Sequence, residues 1–234
     1  MIEFNKVCKS WNNRSIFNGL TFEVGMGDTV GLLGRSGIGK TTILGMVAGL
    51  ISPDSGTIVV KSPRIGYIFQ EPRLIPWKTA LENICFGLKA TGLSNTEAKE
   101  IGMEYIKKLD LEGFENYYPA QLSGGMQQRV SIGRAFAINP EILLMDEPFS
   151  SLDLGLKDAM LGIVRDMLTR KPPALLYVTH DPEEVSGLVK RLLLLHEGGR
   201  LQELPMDSHR SFKGMLRKRF CRNTDMGRHD RFEN

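Results

Sequence analysis

The sequence predicts an α/β fold, with a mainly parallel β-sheet covered by helices on both faces and a helical segment inserted into it. Two patterns support this prediction. Apolar strand-like runs alternate with helical spacing between residues 141 and 197, as in sheets whose strands are joined by helices. Between about residues 79 and 138, apolar residues recur instead at three- and four-residue spacing. The early runs predict a small antiparallel sheet at one edge.

The predicted elements follow from local composition. Turn-forming residues at 52–56 (SPDSG) separate the first helix from two further strands. The predicted strands are 2–9, 20–24, 28–34, 56–60, 64–70, 141–148, 174–180 and 191–197. The predicted helices are 41–50, 79–90, 95–111, 123–138, Leu156–Leu168 and Pro182–Leu188.

Composition excludes several classes of protein. Of the 234 residues, 41% are hydrophobic and 24% charged, which is enough apolar material for a packed core. No apolar run approaches the roughly 18 residues that a membrane span requires, and the first residues lack a signal-like apolar stretch. The three cysteines form no CxxC pair, so neither a disulfide framework nor a zinc site is expected. We expect a cytoplasmic protein whose membrane role, if any, depends on a partner.

The charge is distributed unevenly. The net charge is +3, but residues 209–234 carry +5 and the remainder carries −2. Such a basic tail could contact nucleic acid or anionic lipid. The simpler interpretation is a solvated terminus.

A phosphate-binding loop follows the third predicted strand. The segment fits G-x-x-x-x-G-K-[ST] between a hydrophobic strand and a helix, where glycines let backbone N–H groups converge on phosphate oxygens. The lysine brings a full positive charge to the β- and γ-phosphates, and the next hydroxyl can ligate Mg²⁺. The sequence therefore predicts a P-loop NTPase. The predicted nucleotide-binding residues here are Gly34, Arg35, Ser36, Gly37, Ile38, Gly39, Lys40, Thr41 and Thr42.

A pair of acidic residues ends a later apolar run. Residues 142–145 are followed by Asp146, Glu147 and Pro148. Ligands bind at the C-terminal ends of strands in open α/β sheets, so both carboxylates are expected near the phosphate loop. Asp146 is predicted to hold the Mg²⁺ shell, and Glu147 to act as the base for the attacking water. Such a strand end is common without any function, and the phosphate loop upstream favours the catalytic interpretation.

A serine-glycine segment before the acidic strand identifies the family. The serine stands where a helix N-cap belongs, and its hydroxyl, exposed N–H groups and the helix dipole make a second anion site. The segment LSGGMQQR resembles the signature of the ABC ATPases, LSGGQ followed by QR, with Met126 in place of the usual Gln. In that family the signature closes on the γ-phosphate bound by the opposite subunit. This signature segment comprises Leu122, Ser123, Gly124, Gly125, Met126 and Gln127.

The remaining family positions follow in order. Gln70 resembles the glutamine that senses Mg²⁺ and water, and His180 resembles the switch histidine at the γ-phosphate. Trp11 matches the aromatic position that stacks on adenine. Taken alone, a tryptophan near the N-terminus is more often part of the core. The dimer-interface loop of the family is matched by Ser151, Leu152 and Asp153.

The resemblance implies a division of labour and of domains. It assigns catalysis to Glu147, His180, Gln70 and Lys40, and metal binding to Thr41, Gln70 and Asp146, with ATP and Mg²⁺ as ligands. It covers residues 1–204 and implies an ABC ATPase domain at 1–208 and a basic tail at 209–234. Within that domain, it implies a RecA-like core at 1–78 and 141–208 and a helical subdomain at about 79–140.

Two functions compete within the family. A non-transport ABC ATPase, linked to nucleic acid or translation, would need a longer insertion or a basic binding surface. The roughly fifty residues between Gln70 and Leu122 suit a transporter's helical subdomain, and only the tail is basic. The resemblance therefore implies a homodimer or a dimer with a paralogue, bound to integral membrane permease subunits at the cytoplasmic face. An extracytoplasmic solute-binding protein would act indirectly, and no nucleic-acid partner is expected.

One segment suggests the type of transporter. Residues 70–77, QEPRLIPW, resemble the QEPRLLPW segment of the importers for nitrate, taurine and aliphatic sulfonates. Residues 118–121 before the signature are also importer-like. The ATPase does not touch the cargo, so the cargo is inferred by analogy alone.

Overall fold

The protein forms two β-sheets with helices packed around them. The computed structural model describes residues 1–150, 152, 154–170, 172–185 and 187–204. The predicted positions Ser151 and Asp153 and the basic tail 209–234 lie outside the described residues. Within these ranges, no helix has both the length and the apolar character needed to cross a membrane.

Most elements lie near the predicted positions, but β2 begins six residues earlier and α2 ends five residues earlier than predicted. The strands are β1 (Ile2–Trp11), β2 (Arg14–Val24), β3 (Thr29–Leu33), β4 (Ser55–Val60), β5 (Ile65–Ile68), β6 (Ile142–Asp146), β7 (Ala174–Thr179), β8 (Arg191–Leu195) and β9 (Leu201–Leu204). The helices are α1 (Lys40–Val47), α2 (Ala80–Cys85), α3 (Asn95–Lys108), α4 (Gly124–Ala137), α5 (Leu154–Arg170) and α6 (Pro182–Val185). Short 3-10 turns lie at Leu88–Thr91, Pro119–Gln121 and Glu197–Gly199.

The smaller sheet is antiparallel and has the strand order β2-β1-β4. Its first hairpin turns at Asn12 and Asn13, whose φ angles are 47° and 64°. Asparagine tolerates this left-handed backbone, which matches the twist of paired strands. The predicted second strand began at Leu20, but pairing of Trp11 with Arg14 across the turn extends it back to Arg14.

The larger sheet has the order β5-β6-β7-β3-β8-β9. All neighbouring strands are parallel except β8 and β9, which are antiparallel. The predicted α/β fold with a mainly parallel sheet is therefore confirmed. Strand β9 was not predicted, because its four residues are too few to show a periodic pattern.

The inserted helices start at strong local signals. Thr79 caps α2 and Ser94 caps α3, each in a reciprocal capping box with a glutamate three residues later. These helices and α4 bury apolar side chains in a cluster that also includes Leu33 of β3 and Met145 of β6. Because one hydrophobic cluster spans the inserted helices and the sheet, boundaries near residues 78 and 140 stay a prediction.

Candidate functional site

The phosphate loop runs from the buried end of β3 to the first turn of α1. Gly39 precedes the helix with a φ of 109°. A Cβ there would lie 2.6 Å from side-chain carbons of Ile16 and of Phe17, so both the backbone angle and the neighbouring hairpin require glycine. Strand β2 thus supports the loop from below. The loop residues Arg35, Ser36 and Gly37 are exposed.

Lys40 is buried and lies at the centre of the site. Its ammonium donates to the carbonyl oxygens of Gly34 at 2.9 Å and Arg35 at 3.1 Å. The same Nζ atom lies 3.4 Å from Oε1 of Glu147. The lysine is therefore held by its own loop on one side and by the carboxylate that follows β6 on the other.

Asp146 ends β6 beside the start of α1. Its Oδ1 accepts a hydrogen bond of 3.2 Å from the hydroxyl of Thr41. Burial raises the pKa of this carboxyl, and the bond from Thr41 and the charges of Lys40 and Arg73 offset only part of the rise. Burial, and then the neighbouring Asp146, also raise the pKa of the Tyr67 hydroxyl. An anionic Asp146 is therefore costly here unless a cation joins it.

Glu147 follows with an unusual backbone. Its φ is 43°, and its N–H donates to the carbonyl of Val178 at 2.9 Å. Its second carboxylate oxygen, Oε2, lies 2.7 Å from Nδ1 of His180. Because a carboxylate only accepts, the ring proton belongs on Nδ1. Glu147 thus bridges a lysine and a histidine from two different elements. We call Lys40, Thr41, Asp146, Glu147 and His180 the carboxylate corner.

The loop after His180 is supported from below. Glu184 is 1% exposed, and its Oε2 accepts hydrogen bonds from the hydroxyls of Tyr177 (2.7 Å) and Thr179 (2.6 Å). Lys157 of α5 lies 2.7 Å from the other oxygen of Glu184 and 2.5 Å from Asp181. Burial opposes the charge of Lys157, but its bonds to these two carboxylates outweigh that and raise its pKa. This network ties α5 to the His180 loop.

Gln70 lies at the edge of the corner rather than within it. Its amide nitrogen is 3.4 Å from the hydroxyl of Ser150, which in turn donates to the carbonyl of Glu147 at 3.0 Å. Among the contacts of the described residues there is no hydrogen bond from Gln70 to Thr41 or Asp146. The structure therefore connects Gln70 with Glu147 through Ser150, and not directly with the other two predicted metal ligands.

The signature segment starts α4 and faces outward. Ser123 caps the helix, its hydroxyl accepting from the N–H of Met126 at 3.3 Å. Ser123 and Gly124 are exposed, and a Cβ at Gly124 would meet nothing within 4 Å. Gln127 turns back and donates to the carbonyls of Pro119 and Leu122. Within the described part of the chain, no hydrogen bond or ion pair joins this segment to the carboxylate corner.

Two other side chains of α4 bind backbone on either side of Gln70 and after Glu147. Gln128 is 2% exposed and donates to the carbonyl of Pro148 at 2.7 Å and, at 3.5 Å, to that of Phe69. Arg134 donates to the carbonyls of Pro72 at 2.8 Å and Arg73 at 2.9 Å. Sequence analysis included Gln128 in the signature match without giving it a role, and it did not single out Arg134. The available signal was their polarity on an otherwise buried helix face, since buried polar groups need partners.

Trp11 lies at the end of the first hairpin, where its side chain is 48% exposed. Its cross-strand partner Arg14 lines a cavity of about 430 Å³ that also borders the phosphate loop. The other residues lining this cavity are Ser15, Ile16, Arg35, Ser36, Gly37, Ile38, Glu197 and Gly198. Arg14 and Glu197 were not predicted, because only the fold brings them beside the loop.

The two predicted metal ligands within the corner, Asp146 and Thr41, are both oxygen donors. The described residues contain no group of three or more His, Cys, Asp or Glu side chains that could hold a metal ion. One carboxylate and one hydroxyl suit Mg²⁺, which commonly takes one or two protein ligands and completes its shell with phosphate oxygens and water.

Comparisons with known proteins point to one family. The family model described as ABC transporter matches residues 17–150. The aliphatic sulfonates import ATP-binding protein SsuB 2 of Rhizobium johnstonii is 38% identical over 207 residues, covering 88% of this chain and 81% of that protein. The taurine import ATP-binding protein TauB of Escherichia coli is 35% identical over 221 residues, covering 91% and 87%.

A solved ATP-binding cassette has the same fold. It is a dimer in a post-hydrolysis state bound to ADP and Pi, with a TM-score of 0.77 and 29% identity over 88% of this chain and 99% of its own. These matches confirm the predicted fold class and the predicted ATPase type. With the motifs in their expected order and a family match over more than half of its length, this chain belongs to the ABC transporter family.

Proposed function

We propose that this chain is the ATP-hydrolysing subunit of an ABC importer that takes up an aliphatic sulfonate, taurine or a similar small solute. The observation that carries the proposal is the position of Glu147, between the ammonium of Lys40 (3.4 Å) and the imidazole of His180 (2.7 Å). A carboxylate held this way beside a phosphate loop is suited to orient a water for attack on a γ-phosphate.

The phosphate loop would hold the nucleotide. Its N–H groups and the N-terminus of α1 bind the phosphates, while Thr42 extends the cradle into the helix. Lys40, now bound to the carbonyls of Gly34 and Arg35, would exchange these contacts for phosphate oxygens. Because Lys40 is almost fully buried, its charge acts in a medium of low dielectric constant and is screened less by water.

Asp146 and Thr41 would hold Mg²⁺, directly or through water. The ion, when bound, neutralises charge on the phosphate oxygens. Gln70 would join this shell only after moving from Ser150. Because Ser150 contacts both Gln70 and the Glu147 carbonyl, movement of Gln70 on binding of the γ-phosphate would change the contacts of the Glu147 backbone.

Glu147 would accept the proton of the attacking water while His180 holds the carboxylate in place. His180 donates to Glu147 through Nδ1. This leaves Nε2 as the ring nitrogen available to the γ-phosphate side of the site. The catalysis is thus positioning plus charge neutralisation.

The signature segment would act in the opposite subunit. Ser123 and the exposed backbone of Gly124 offer a hydroxyl and N–H groups that the corner of their own chain does not use. Two copies of this chain, or one copy and a paralogue, would place each signature over the other's phosphate loop. We assign residues 151–153 to the loop at that interface. Leu152 packs against the main core cluster, whereas Ser151 and Asp153 lie outside the described residues.

The membrane partner would dock on the loop held by α4. We place integral permease subunits there, with the cassette on the cytoplasmic face of the membrane and a solute-binding protein on the other side. The exposed Trp77, which is 75% accessible, lies in this loop.

The proposed division is an ATPase domain at 1–208, with its RecA-like core at 1–78 and 141–208 and helical subdomain at about 79–140, and a tail at 209–234. The sulfonate and taurine importers among its relatives support the cargo class.

Affinity purification from membranes tests this proposal. We expect a multispanning permease to co-purify with the tagged chain and to raise its Mg²⁺-dependent ATPase activity. A Glu147→Gln variant should bring down the same permease without that activity. Recovery of nucleic acid or ribosomes in place of a membrane protein would refute the importer function and leave only the ATPase.

A further inference from the structure

Behind the tryptophan that we assign to the nucleotide base lies a fixed positive charge. Lys9 and Trp11 are two residues apart on β1, so their side chains leave the same face of the strand. The ammonium of Lys9 lies 4.7 Å from the centroid of the Trp11 ring. This distance is within the range of a cation–π contact.

The lysine is held there by a second group. Asp54 lies 2.8 Å from the ammonium of Lys9, and its other oxygen accepts the N–H of Ser10 at 2.7 Å. The N–H of Asp54 donates to the carbonyl of Cys8 at 2.9 Å. These contacts lock the turn before β4 against the end of β1. The side chain of Lys9 is only 12% exposed, so it has little freedom to leave the ring.

Only one face of the ring is therefore available for a ligand. Trp11 is still 48% exposed, and its partner Arg14 borders the cavity at the phosphate loop. A cation on one face draws electron density away from the other, which reduces repulsion with the π-electrons of a stacked base. The two effects, a fixed ring plane and a less negative open face, favour an extended purine on that face.

We propose that Lys9, anchored by Asp54, is a positioning residue for the nucleotide base. It acts through Trp11 and does not touch the nucleotide. This inference rests on the proposed function, in which Trp11 stacks on adenine. It adds to that function a specificity determinant that lies on the far side of the ring.

Binding of two matched ligands tests the inference. The full-length chain is titrated with Mg²⁺-ADP and with Mg²⁺-pyrophosphate, which carries two phosphates and no base, in 0.15 M salt. Lys9→Met should weaken ADP binding about two- to fivefold and leave pyrophosphate binding unchanged, since the effect acts through the base. In steady state, KM for ATP should rise by the same factor at constant kcat.

Three variants serve as controls. Lys61→Met removes a lysine that directly follows β4 and pairs with Glu3. Among the described residues, the cation–π contacts include none of Lys61, so both affinities should stay as they are. Lys9→Arg keeps the cation and should restore ADP binding. Asp54→Asn leaves Lys9 in place but frees it, and should give a smaller loss in the same direction even if Lys9→Met folds poorly.

The outcomes separate this inference from the proposed function. Equal loss of ADP and pyrophosphate affinity in Lys9→Met would show a general attraction for anions and overturn the positioning role. Unchanged ADP affinity in Lys9→Met, with a loss in Trp11→Ala, would overturn it as well but keep the stacking on Trp11. Unchanged ADP affinity in Trp11→Ala would remove the base platform itself.

Discussion

The carboxylate corner and the signature segment differ in how complete they are within one chain. In the corner, Glu147 already contacts Lys40 and His180, and Thr41 contacts Asp146. In the signature segment, Ser123 caps its own helix, and the backbone of Gly124 faces open space. The corner is assembled by the fold, whereas the signature segment is presented by it.

This difference suggests which steps need a second subunit. Side chains that position water and metal are held by contacts within the chain, so nucleotide binding should need one subunit. Charge neutralisation by the signature segment has no acceptor within its own chain among the described residues, so turnover should need two. Each of the following predictions separates the two regions.

The largest effect is expected at Glu147. Replacing it with Gln keeps the size of the side chain but removes the base, so turnover should fall by about 100-fold or more while ATP binding persists. The variant should accumulate as an ATP-bound dimer in size-exclusion chromatography. The matched control is Glu141→Gln, directly before β6, where the carboxylate pairs with Arg64. Wild-type turnover in Glu147→Gln would remove this residue from the role.

Mixing two inactive chains tests the sharing of sites. Lys40→Ala damages the corner, and Ser123→Arg blocks the signature segment. In a mixed dimer, the intact corner of one chain meets the intact signature segment of the other. Random pairing should then restore about a quarter of wild-type ATPase activity, since half of the dimers carry one intact site of two. If the mixture is no more active than the separate variants and holds no bound ATP, the two chains do not form a shared site.

Two glycine substitutions separate folding from function. Gly39→Ala forces a Cβ to within 2.6 Å of Ile16 and Phe17 at a φ of 109°, and should lower the free energy of unfolding by about 1–3 kcal/mol. Gly124→Ala places its methyl group in open space and should leave that free energy unchanged or slightly higher. ATPase activity should nevertheless fall in Gly124→Ala. Urea unfolding and ATPase assays on both variants would check this, and equal destabilisation would contradict it.

The smallest effect concerns Asp146, whose pKa is raised by burial. A carboxyl whose pKa is higher in the folded than in the unfolded state binds more protons when the chain is folded. The free energy of unfolding therefore declines as pH rises from the unfolded-state pKa through the folded-state pKa. Asp146→Asn should therefore stabilise the nucleotide-free chain by about 1 kcal/mol at pH 7 while abolishing hydrolysis. The gain should shrink toward pH 4. Lower stability of the variant at pH 7 would show that the carboxylate is favourable without metal.

The sequence indicated which motif residues would lie together, but not the contacts that they make. The positions of Lys40, Asp146 and Glu147 followed from the strand–loop–helix pattern, because parallel strands bring their ends to one edge of the sheet. The contact of Gln70 with Ser150 was not predicted, nor was the support of Gly39 by Phe17 from a strand more than twenty residues away. Such contacts depend on side-chain rotamers and on packing between sheets, which no local spacing encodes.

The same limit explains the missed ends of the chain's elements. The first half of β2 has two adjacent apolar residues, Ile16 and Phe17, rather than an alternating pattern, and it contains Gly19, so it indicates no strand until pairing with β1 is known. Buried polar residues were the second gap. Gln128, Glu184 and Lys157 are placed by partners distant in the chain, and their types alone are common on exposed helix faces.

The hydrogen bonds from α4 to the backbone around Gln70 have an evolutionary consequence. Arg134 binds main-chain oxygen atoms of Pro72 and Arg73 in the loop after Gln70, and Gln128 binds those of Phe69 and Pro148. Every residue type supplies such an oxygen, so the side chains of residues 71–73 can differ without loss of these hydrogen bonds. Mutation can therefore change the outer surface of this loop, where we place the permease, while its hydrogen bonds to α4 are kept. The same cassette could in this way adapt to a different permease.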